Sequence, residues 1–288
     1  MTEAGRRAEF DRSALIIVDM QNDFLHPDGG FAHIAREHPE ANIDMPFLRG
    51  TIPQVGRLAG AFRSAGRPVV YVAHVVKPDY SDAAFPYWRI GVGPSSGNRT
   101  FIVENTWGAQ IIDELKPRES EHLVVKKGFD GFAPSTPLDT ILRNKAVNTC
   151  VVTGVTTCVC ISTTVRGGVE HNYRMILVSD GVAEVSREAH DAELRTMDRL
   201  FADVRSTDEV IRLLGGRWCI RSASTGQRSL PTNRTLATTA LTRTSRRSSR
   251  SAKARRWRWK RATRSTVSSD RGRQSPISRR SMSAPFTR

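Results

Sequence analysis

The chain has 288 residues, enough for one large domain or for one domain with an appendage. Its formal net charge of +15 comes from residues 217–288, where 20 Lys and Arg accompany a single acid, Asp270; the 216 residues before them contain 24 basic and 28 acidic side chains. Because the basic residues are confined to the end of the chain, the net charge does not indicate that the first three quarters bind nucleic acid.

The spacing of the cysteines and the composition of the first residues bear on whether the protein is expected in the cytoplasm. The four cysteines are Cys150, Cys158, Cys160 and Cys219, and three of them crowd into one short stretch, which does not indicate a disulfide framework. The first residues, MTEAGRRAEFDRSA, lack the apolar core of a signal peptide, and no apolar run approaches the roughly 18 residues of a membrane span. We therefore expect a cytoplasmic protein with no membrane span.

Short apolar runs alternate with amphipathic stretches through the first three quarters of the chain. In chain order they predict a strand at Ala14–Val18, a helix at Ile52–Ser64, a strand at Pro68–Val72, a helical turn at Ile111–Leu115, a strand at His122–Val125, a helix at Thr136–Asn144 with Thr136 as N-cap, a strand at Cys150–Thr153, a helix at Ile161–Val169, a strand at Met175–Val178, a helix at Arg187–Phe201, a strand at Ala202–Val204 and a helix at Asp208–Leu214. Residues 25–50 and 77–106 are predicted to be long loops. Alternating strands and helices predict an α/β domain, a parallel sheet covered on both faces.

The chain is predicted to divide into an N-terminal extension at residues 1–13, the α/β domain at residues 14–215 and a tail at residues 216–288. The tail is rich in Arg, Ser and Thr and has no sustained period, a composition typical of disorder. Its RRWRWKR segment (Arg255–Arg261) interleaves Trp with cations and suits nucleic acid or an anionic membrane surface. The alternative is that the tail has no selected function, since a shifted reading frame or appended artificial sequence would change the composition as abruptly.

The segment GVTTCVCI (residues 154–161) joins a predicted strand to a predicted helix. A cysteine at a helix N-terminus lies at the positive end of the helix dipole, which lowers the pKa of the thiol and favours a nucleophilic thiolate. Backbone N–H groups of the same turn can stabilise an oxyanion. These arguments apply equally to Cys158 and Cys160, and two small cysteines packed at a strand–helix junction are the alternative interpretation.

Two other segments offer partners for a thiol. Asp19 follows the first strand in LIIVDMQNDF, where a carboxylate can act as a base, although a turn or N-cap aspartate is the alternative. Lys126 and Lys127 end the strand in VVKKGFDGF, where a lysine can stabilise a thiolate and a carboxylate, although a solvated lysine pair is the commoner case. Because ligands bind beyond the carboxyl ends of parallel strands, Asp19 and residues 154–160 are expected at the same edge of the sheet.

Three motifs together resemble the isochorismatase-like superfamily of cysteine hydrolases over residues 14–214. They are ALIIVDMQNDF, the lysine segment followed by TPLDTILR, and VVTGVTTCVCISTTVRGG. The resemblance implies a Rossmann-like three-layer α/β/α domain, often oligomeric, so a homo-oligomer is expected. It also implies an Asp–Lys–Cys catalytic triad, in which Asp19 matches the family aspartate and the spacing from Gly154 selects Cys160 over Cys158.

The lysine of the triad is less sharply defined by the resemblance. Its spacing to Phe129 and Phe132 selects Lys126, which is the expected triad lysine, whereas counting back from Thr136 gives Lys127 as the alternative. The family also has a cis peptide before the oxyanion-hole residue, here Val155–Thr156. The implied oxyanion hole consists of the backbone N–H groups of Thr156 and Cys160.

The resemblance implies hydrolysis of a C–N bond through a thioester, with release of ammonia or an amine. The TPLDTILR and TGVTTCVC pieces are most similar to the branch containing ureidoacrylate and biuret amidohydrolases, so a small ureido or carbamoyl substrate is expected, with Phe24, Trp107 and Phe129 as pocket walls. The Asp-x-His metal motif of nicotinamidases is missing from the chain, so neither a metal nor a cofactor is expected. The alternatives are an isochorismatase-like hydrolase of another substrate, a catalytically silent member, or nucleic-acid binding through the tail.

Overall fold

The structure is a computed structural model that describes residues 10–84 and 101–215. The predicted basic tail, its RRWRWKR segment and Cys219 lie outside the described residues. None of the helices in the described ranges has the combination of length and apolarity that crossing a membrane requires.

Six strands form one sheet in which every neighbouring pair is parallel. The strands are β1 (Ser13–Val18), β2 (Val69–His74), β3 (His122–Lys126), β4 (Thr149–Val155), β5 (Arg174–Ala183) and β6 (Asp203–Arg205), and their order across the sheet is β3-β2-β1-β4-β5-β6. The chain therefore moves outward from β1 in one direction, returns to β4 beside β1, and moves outward in the other. In sheets of this kind, ligands usually bind outside the carboxyl ends of the two strands between which the order reverses, here β1 and β4.

Seven α-helices and three shorter helical turns accompany the sheet in the described residues. The helices are α1 (Asn22–Leu25), α2 (Gly30–Glu37), α3 (Met45–Ser64), α4 (Leu138–Asn144), α5 (Ser162–Glu170), α6 (Arg187–Leu200) and α7 (Thr207–Leu213). The turns are 3₁₀ at Pro39–Ala41 and Asp113–Leu115, and π-helical at Thr157–Ile161.

The apolar core consists of two clusters, one on each face of the sheet. Alternate residues of β1 point to opposite faces: Leu15 and Ile17 pack in the cluster that contains α3 and α7, whereas Ile16 and Val18 pack in the cluster that contains α4, α5 and α6. Every residue of β1 is buried, as expected for a central parallel strand. The predicted three-layer α/β/α, Rossmann-like arrangement is therefore confirmed.

The predicted loop at residues 25–50 is wrong in part, because it contains α2 and the first turns of α3. Helix α3 begins at Met45, seven residues before the predicted start at Ile52. The Asp44 carboxylate caps it by accepting a hydrogen bond from Phe47 N at 2.9 Å, and Pro46 lies in the first turn, where proline needs no N–H partner. Proline and glycine are typical of loops, but Pro46 here occupies the first turn of a helix and Gly30 begins another.

Thr136 does not cap the helix that follows it. Helix α4 begins at Leu138 with Pro137 in the N-cap position, and Thr136 Oγ1 instead donates to the carbonyl oxygen of Gly131 at 2.6 Å. Strand β5 also continues to Ala183, five residues beyond its predicted end at Val178, through a register shift against β4 near Gly154.

Gly154 is the residue that lets the end of β4 approach the end of β1 closely. Its φ is +120°, and a Cβ atom there would lie 1.9 Å from the carbonyl oxygen of Val18. Only glycine fits this position without displacing the strand that precedes Asp19. The glycine of the GVTTCVCI segment therefore determines how closely the Cys160 turn and Asp19 can lie.

Candidate active site

Three separate parts of the chain bring Asp19, Lys126 and Cys160 into contact at the carboxyl ends of the strands. Asp19 directly follows β1, Lys126 is the last residue of β3, and Cys160 lies in the π-helical turn after β4. Lys126 Nζ is 2.9 Å from Asp19 Oδ2, 3.3 Å from Cys160 Sγ and 3.0 Å from the carbonyl oxygen of Gly128. The ammonium group thus links the carboxylate to the thiol.

The two lysines that the sequence left as alternatives lie in different environments. Lys126 is fully buried beside Asp19, whereas the Lys127 side chain is 34% exposed and pairs with Asp82 at 2.8 Å. Consecutive residues at a strand end point to opposite faces of the sheet, so only one of the two can reach the turn that carries Cys160. The structure brings Lys126 to that turn.

The charges at this cluster are balanced and buried. Burial raises the pKa of Asp19 above its ordinary value, and the neighbouring Lys126 only partly opposes this. Burial lowers the pKa of Lys126, but Asp19 and Cys160 beside it outweigh that effect, so the ammonium is retained. Burial, reinforced by the Asp19 carboxylate, raises the pKa of the Cys160 thiol. At rest the cluster is therefore an ion pair beside a neutral thiol.

This result corrects the expectation that the helix N-terminus lowers the pKa of the cysteine. Cys160 is 5% exposed, and burial, followed by the Asp19 carboxylate, raises the pKa of its thiol, whereas Lys126 opposes this only in part. Burial, with Glu184 nearby, also raises the pKa of Cys158 to about 12. Formation of a thiolate at Cys160 therefore requires a base within the site, and Asp19 is the carboxylate in place.

Cys158 and Cys160 are separated by the direction of their side chains. Cys160 Sγ faces Lys126, whereas Cys158 is exposed and its Sγ lies 3.5 Å from the carbonyl oxygen of Ala189. The π-helical turn between Thr157 and Ile161 places the two residues on different sides of the same segment. The helix-dipole and oxyanion arguments apply to both thiols equally. Their orientation distinguishes them, because only Cys160 Sγ contacts Lys126.

The turn that carries Cys160 is anchored from two sides by residues that the sequence analysis did not single out. The Glu184 carboxylate accepts a hydrogen bond from Cys158 N at 2.7 Å, and His190 Nδ1 lies 2.9 Å from Thr157 Oγ1. The peptide bond Val155–Thr156 is cis, as the family resemblance implied, and Thr156 is 6% exposed. The oxyanion-hole role of the Thr156 and Cys160 N–H groups stays a prediction.

The three predicted pocket walls occupy different surroundings. Phe24 is buried in an aromatic group, with its ring centroid 5.1 Å from Phe31 and 5.3 Å from Phe101. Trp107 is 47% exposed and packs edge-on against His26 at 4.7 Å. Phe129 is half-buried, and its ring lies 5.9 Å from the ring of His74 beside the Asp19–Lys126–Cys160 cluster. Their contacts with substrate stay predictions, and Phe129 is the one adjacent to the cluster.

Two buried residues next to the cluster, His74 and Gln21, are not among the candidates drawn from the sequence. His74 ends β2, two residues beyond the predicted strand, and Gln21 follows Asp19 by two positions. The Gln21 side chain exchanges two hydrogen bonds of 2.9 Å with the backbone of His74 and donates a third to Ala109. The glutamine of VDMQNDF is a sequence signal for this pair of hydrogen bonds, but the sequence does not show its partner, which is 53 residues away.

Asp19, His74 and Cys160 also form a donor set of the kind that binds transition metals. One ligand atom from each lies within 4.8 Å of the others. The Lys126 ammonium, however, already contacts Asp19 and Cys160 at this position, and a metal cation would have to displace it. These residues therefore fit an ammonium better than a metal, and the prediction of a metal-free site stays a prediction.

Comparison with known proteins is consistent with this geometry. The Isochorismatase domain family model matches residues 13–209. Among curated relatives, the ureidoacrylate amidohydrolase RutB of Methylorubrum extorquens is 29% identical over 202 residues, covering 66% of this chain and 78% of the relative. The same enzyme from Variovorax paradoxus is 29% identical over 211 residues, covering 69% and 80%.

Solved structures agree in fold and in family. A cysteine hydrolase from Pseudomonas syringae pv. phaseolicola 1448A superposes with a TM-score of 0.61 at 28% identity, covering 71% of this chain and 92% of that one. The N-carbamoylsarcosine amidase from Thermoplasma acidophilum gives a TM-score of 0.53 at 28% identity, covering 68% and 97%. Because the family model spans most of the chain, and the fold and motifs agree with it, the chain belongs to the isochorismatase family.

Proposed function

We propose that this protein is a cysteine amidohydrolase that cleaves the C–N bond of a small amide, ureido or carbamoyl compound through a thioester. The observation that carries the proposal is the buried contact of one ammonium, Lys126 Nζ, with both the Asp19 carboxylate and the Cys160 thiol. A nucleophile, a base within reach and a group that orients both are what covalent catalysis requires.

In the first half of the reaction, Asp19 accepts the proton of the Cys160 thiol while Sγ bonds to the carbonyl carbon of the substrate. The N–H groups of Thr156 and Cys160 donate to the oxyanion, and Lys126 balances the negative charge that moves between the thiol and the carboxylate. The C–N bond then breaks, the leaving nitrogen takes the proton back from Asp19, and ammonia or an amine departs. In the second half, water attacks the thioester with Asp19 again as base, and the acid and the thiol are released.

The pKa shifts support these roles. Because burial raises the pKa of Asp19, its carboxylate is a stronger base than a solvated aspartate and accepts the thiol proton more readily. The raised pKa of Cys160 keeps the thiol neutral until Asp19 accepts its proton. The nucleophile is thus protected from unproductive reactions while the site is empty.

The substrate class rests on the relatives. Ureidoacrylate amidohydrolase and N-carbamoylsarcosine amidase, by their names, both act on compounds with a carbamoyl nitrogen. The balanced Asp19–Lys126 pair leaves the cluster with no net charge, which suits an uncharged reacting group such as a carboxamide or ureido group. The oligomeric state, the cytoplasmic location and nucleic-acid binding by the tail stay predictions.

The test is an ammonia-release screen of biuret, ureidoacrylate, N-carbamoyl amino acids, maleamate and nicotinamide. We expect turnover of at least one ureido or carbamoyl compound by the wild type, and a loss of roughly 10⁴-fold or more in Cys160→Ala, as found when a nucleophile is removed from a catalytic triad. Cys158→Ala, in the same turn but facing away from Lys126, is the matched control and should retain full turnover. Full turnover by Cys160→Ala would rule out the thioester.

A further inference from the structure

Glu184 is a buried carboxylate that the mechanism above does not use. It directly follows β5, and Val155 at the end of β4 pairs with Ala183 at the end of β5. This register places Glu184 beside the start of the turn that carries Cys160. The residue is 5% exposed. Because the carboxylate has lost most of its water, it depends on hydrogen bonds from the protein.

Both oxygens of the Glu184 carboxylate accept backbone hydrogen bonds. Oε2 accepts from Cys158 N at 2.7 Å, and Oε1 accepts from Val185 N at 3.0 Å. Hydrogen bonds to a charged acceptor are shorter and stronger than bonds between neutral groups, and the Cys158 contact has a length of this kind. The bond from Val185 fixes the carboxylate at the end of β5, so the bond from Cys158 fixes the turn relative to the sheet.

The backbone N–H groups of the turn have different uses. That of Cys158 donates to Glu184, and two N–H groups later in the turn donate to the carbonyl oxygen of Thr156, at 3.2 and 3.1 Å. The N–H groups of Thr156 and Cys160, to which the mechanism above assigns the oxyanion, are not among these. Cys158 lies between Thr156 and Cys160 in the chain, so Glu184 holds the turn at a point midway between the two oxyanion donors.

We propose that Glu184 is a positioning residue: its hydrogen bond to Cys158 N sets the direction of the Thr156 and Cys160 N–H groups, so that both point at the oxyanion that forms when Cys160 attacks a carbonyl carbon. This inference rests on the proposed amidohydrolase function and deepens it. Oxyanion donors are effective when they are held in place before the charge develops, and a displacement of about 1 Å costs on the order of 100-fold in rate. Glu184 acts through the turn and not on the thiol, so its loss should affect only steps that form an oxyanion.

The test separates oxyanion binding from the reactivity of the thiol. Propionaldehyde adds reversibly to a thiol: the S–C bond forms, the carbonyl π bond breaks, and the thiol proton passes to the oxygen, which at Cys160 would lie against the oxyanion donors. Iodoacetamide alkylates the same sulfur by displacing iodide and needs no such donors. The aldehyde dissociation constant is measured as protection of Cys160 from iodoacetamide, with the alkylated peptide quantified by mass spectrometry. All variants carry Cys158→Ala, which removes the exposed thiol of the turn and keeps its N–H.

Glu184→Ala should raise the aldehyde dissociation constant on the order of 10- to 100-fold and leave the rate of Cys160 alkylation without aldehyde unchanged. Glu184→Gln, which keeps an acceptor for Cys158 N, should restore most of the affinity. Arg63→Met loses two hydrogen bonds to a buried carboxylate at the amino ends of the strands. It is the control for a loss of stability and should change neither measurement.

Amide turnover provides a second measurement, in which Glu184→Ala should lower kcat by a similar factor at an unchanged KM. An unchanged aldehyde dissociation constant, an equal change in Arg63→Met, or a parallel fall in Cys160 alkylation would overturn the inference while leaving the amidohydrolase proposal intact. Aldehyde binding that depends on Glu184, without turnover of any amide by the wild type, would instead overturn the proposed function. Neither aldehyde protection nor amide turnover in the wild type would overturn both.

Discussion

Each end of the sheet has a cation paired with a carboxylate. The two pairs differ in how many of their carboxylate oxygens accept a hydrogen bond. At the carboxyl ends, Lys126 and Asp19 are both fully buried, and Asp19 Oδ1 accepts no hydrogen bond among the described residues. At the amino ends of β2 and β3, Arg63 binds both oxygens of Glu121 at 2.8 Å and contacts Tyr71 Oη at 3.2 Å.

The hydrogen bonding of the two ion pairs indicates that the Arg63–Glu121 pair stabilises the fold and that the Lys126–Asp19 pair is suited to catalysis. Glu121 receives a third hydrogen bond from Arg118 N at 2.8 Å, so both of its carboxylate oxygens have partners, and the Arg63 and Glu121 side chains remain 20% and 9% exposed. The Lys126–Asp19 pair has lost all its water and keeps an unpaired oxygen beside a thiol. An arrangement that is costly for folding is expected where it is needed for catalysis.

The largest expected effect comes from breaking the buried pair. Lys126→Met leaves the Asp19 carboxylate buried without a counter-charge and should cost about 3–5 kcal/mol of the free energy of unfolding. It should also lower kcat/KM on the order of 100- to 1,000-fold, because an electrostatic contact to the reacting groups is lost. Urea unfolding and ammonia release measure the two effects.

Two variants serve as controls for this change. Lys127→Met removes an exposed pair with Asp82 and should cost less than about 1 kcal/mol with unchanged activity. The double variant Asp19→Asn/Lys126→Met removes both charges and should regain most of the stability without regaining activity. Equal behaviour of Lys126→Met and Lys127→Met would contradict the distinction drawn between the two lysines.

A smaller effect is expected at the amino-end pair. Arg63→Met removes two hydrogen bonds to a mostly buried Glu121 carboxylate and should cost about 1–3 kcal/mol of the free energy of unfolding. Because this pair lies at the opposite end of the strands from Cys160, kcat/KM should stay at the wild-type value. A drop in kcat/KM with an unchanged free energy of unfolding would contradict a purely stabilising role for the Arg63–Glu121 pair.

The smallest effect concerns acid pH: the pH at which kcat/KM falls should differ from the pH at which the protein unfolds. The pKa of Asp19 is raised above its ordinary 3.8, so its carboxylate is lost as pH falls through that higher value, and kcat/KM should fall tenfold per pH unit below it. Burial would raise the pKa of Glu121, but the hydrogen bonds from Arg63 and Arg118 outweigh this and hold it below 4.5. The stability that Glu121 contributes is therefore present above pH 4.5 and lost only as pH falls through its lower folded value.

Activity should consequently decline at a pH where the protein is still folded. The measurement is a pH profile of kcat/KM alongside near-ultraviolet circular dichroism over the same range. Coincident midpoints for activity and for the dichroism signal would contradict the assignment of the acid limb to Asp19. The same profile in Arg63→Met should leave the activity midpoint unchanged and move the unfolding midpoint to higher pH.

Much of the fold was predictable because it depends on local pattern. Each of the six predicted strands exists, and the alternation of strands and helices correctly predicted a parallel sheet covered on both faces. The errors lie where a residue has two structural uses. Pro46 begins a helix rather than a loop, and Thr136 bonds back to Gly131 rather than forward to a helix. Such choices depend on neighbours that a local pattern does not contain.

The sequence alone contains the motifs around Asp19 and Cys160 and predicts the edge of the sheet at which they lie, because the alternation of strands and helices along the chain and the spacing within a motif are local properties. The packing of distant elements shows which lysine completes the cluster and that His74 lies beside it, and it gives the physical basis for Cys160, which the family spacing already favours over Cys158. Lys126 and Lys127 are consecutive residues at a strand end, so their side chains point to opposite faces of the sheet. Cys158 and Cys160 lie in one π-helical turn and point in different directions. The two members of each pair have the same chemistry and differ in burial, because only Lys126 and Cys160 are buried against elements that are distant in the chain.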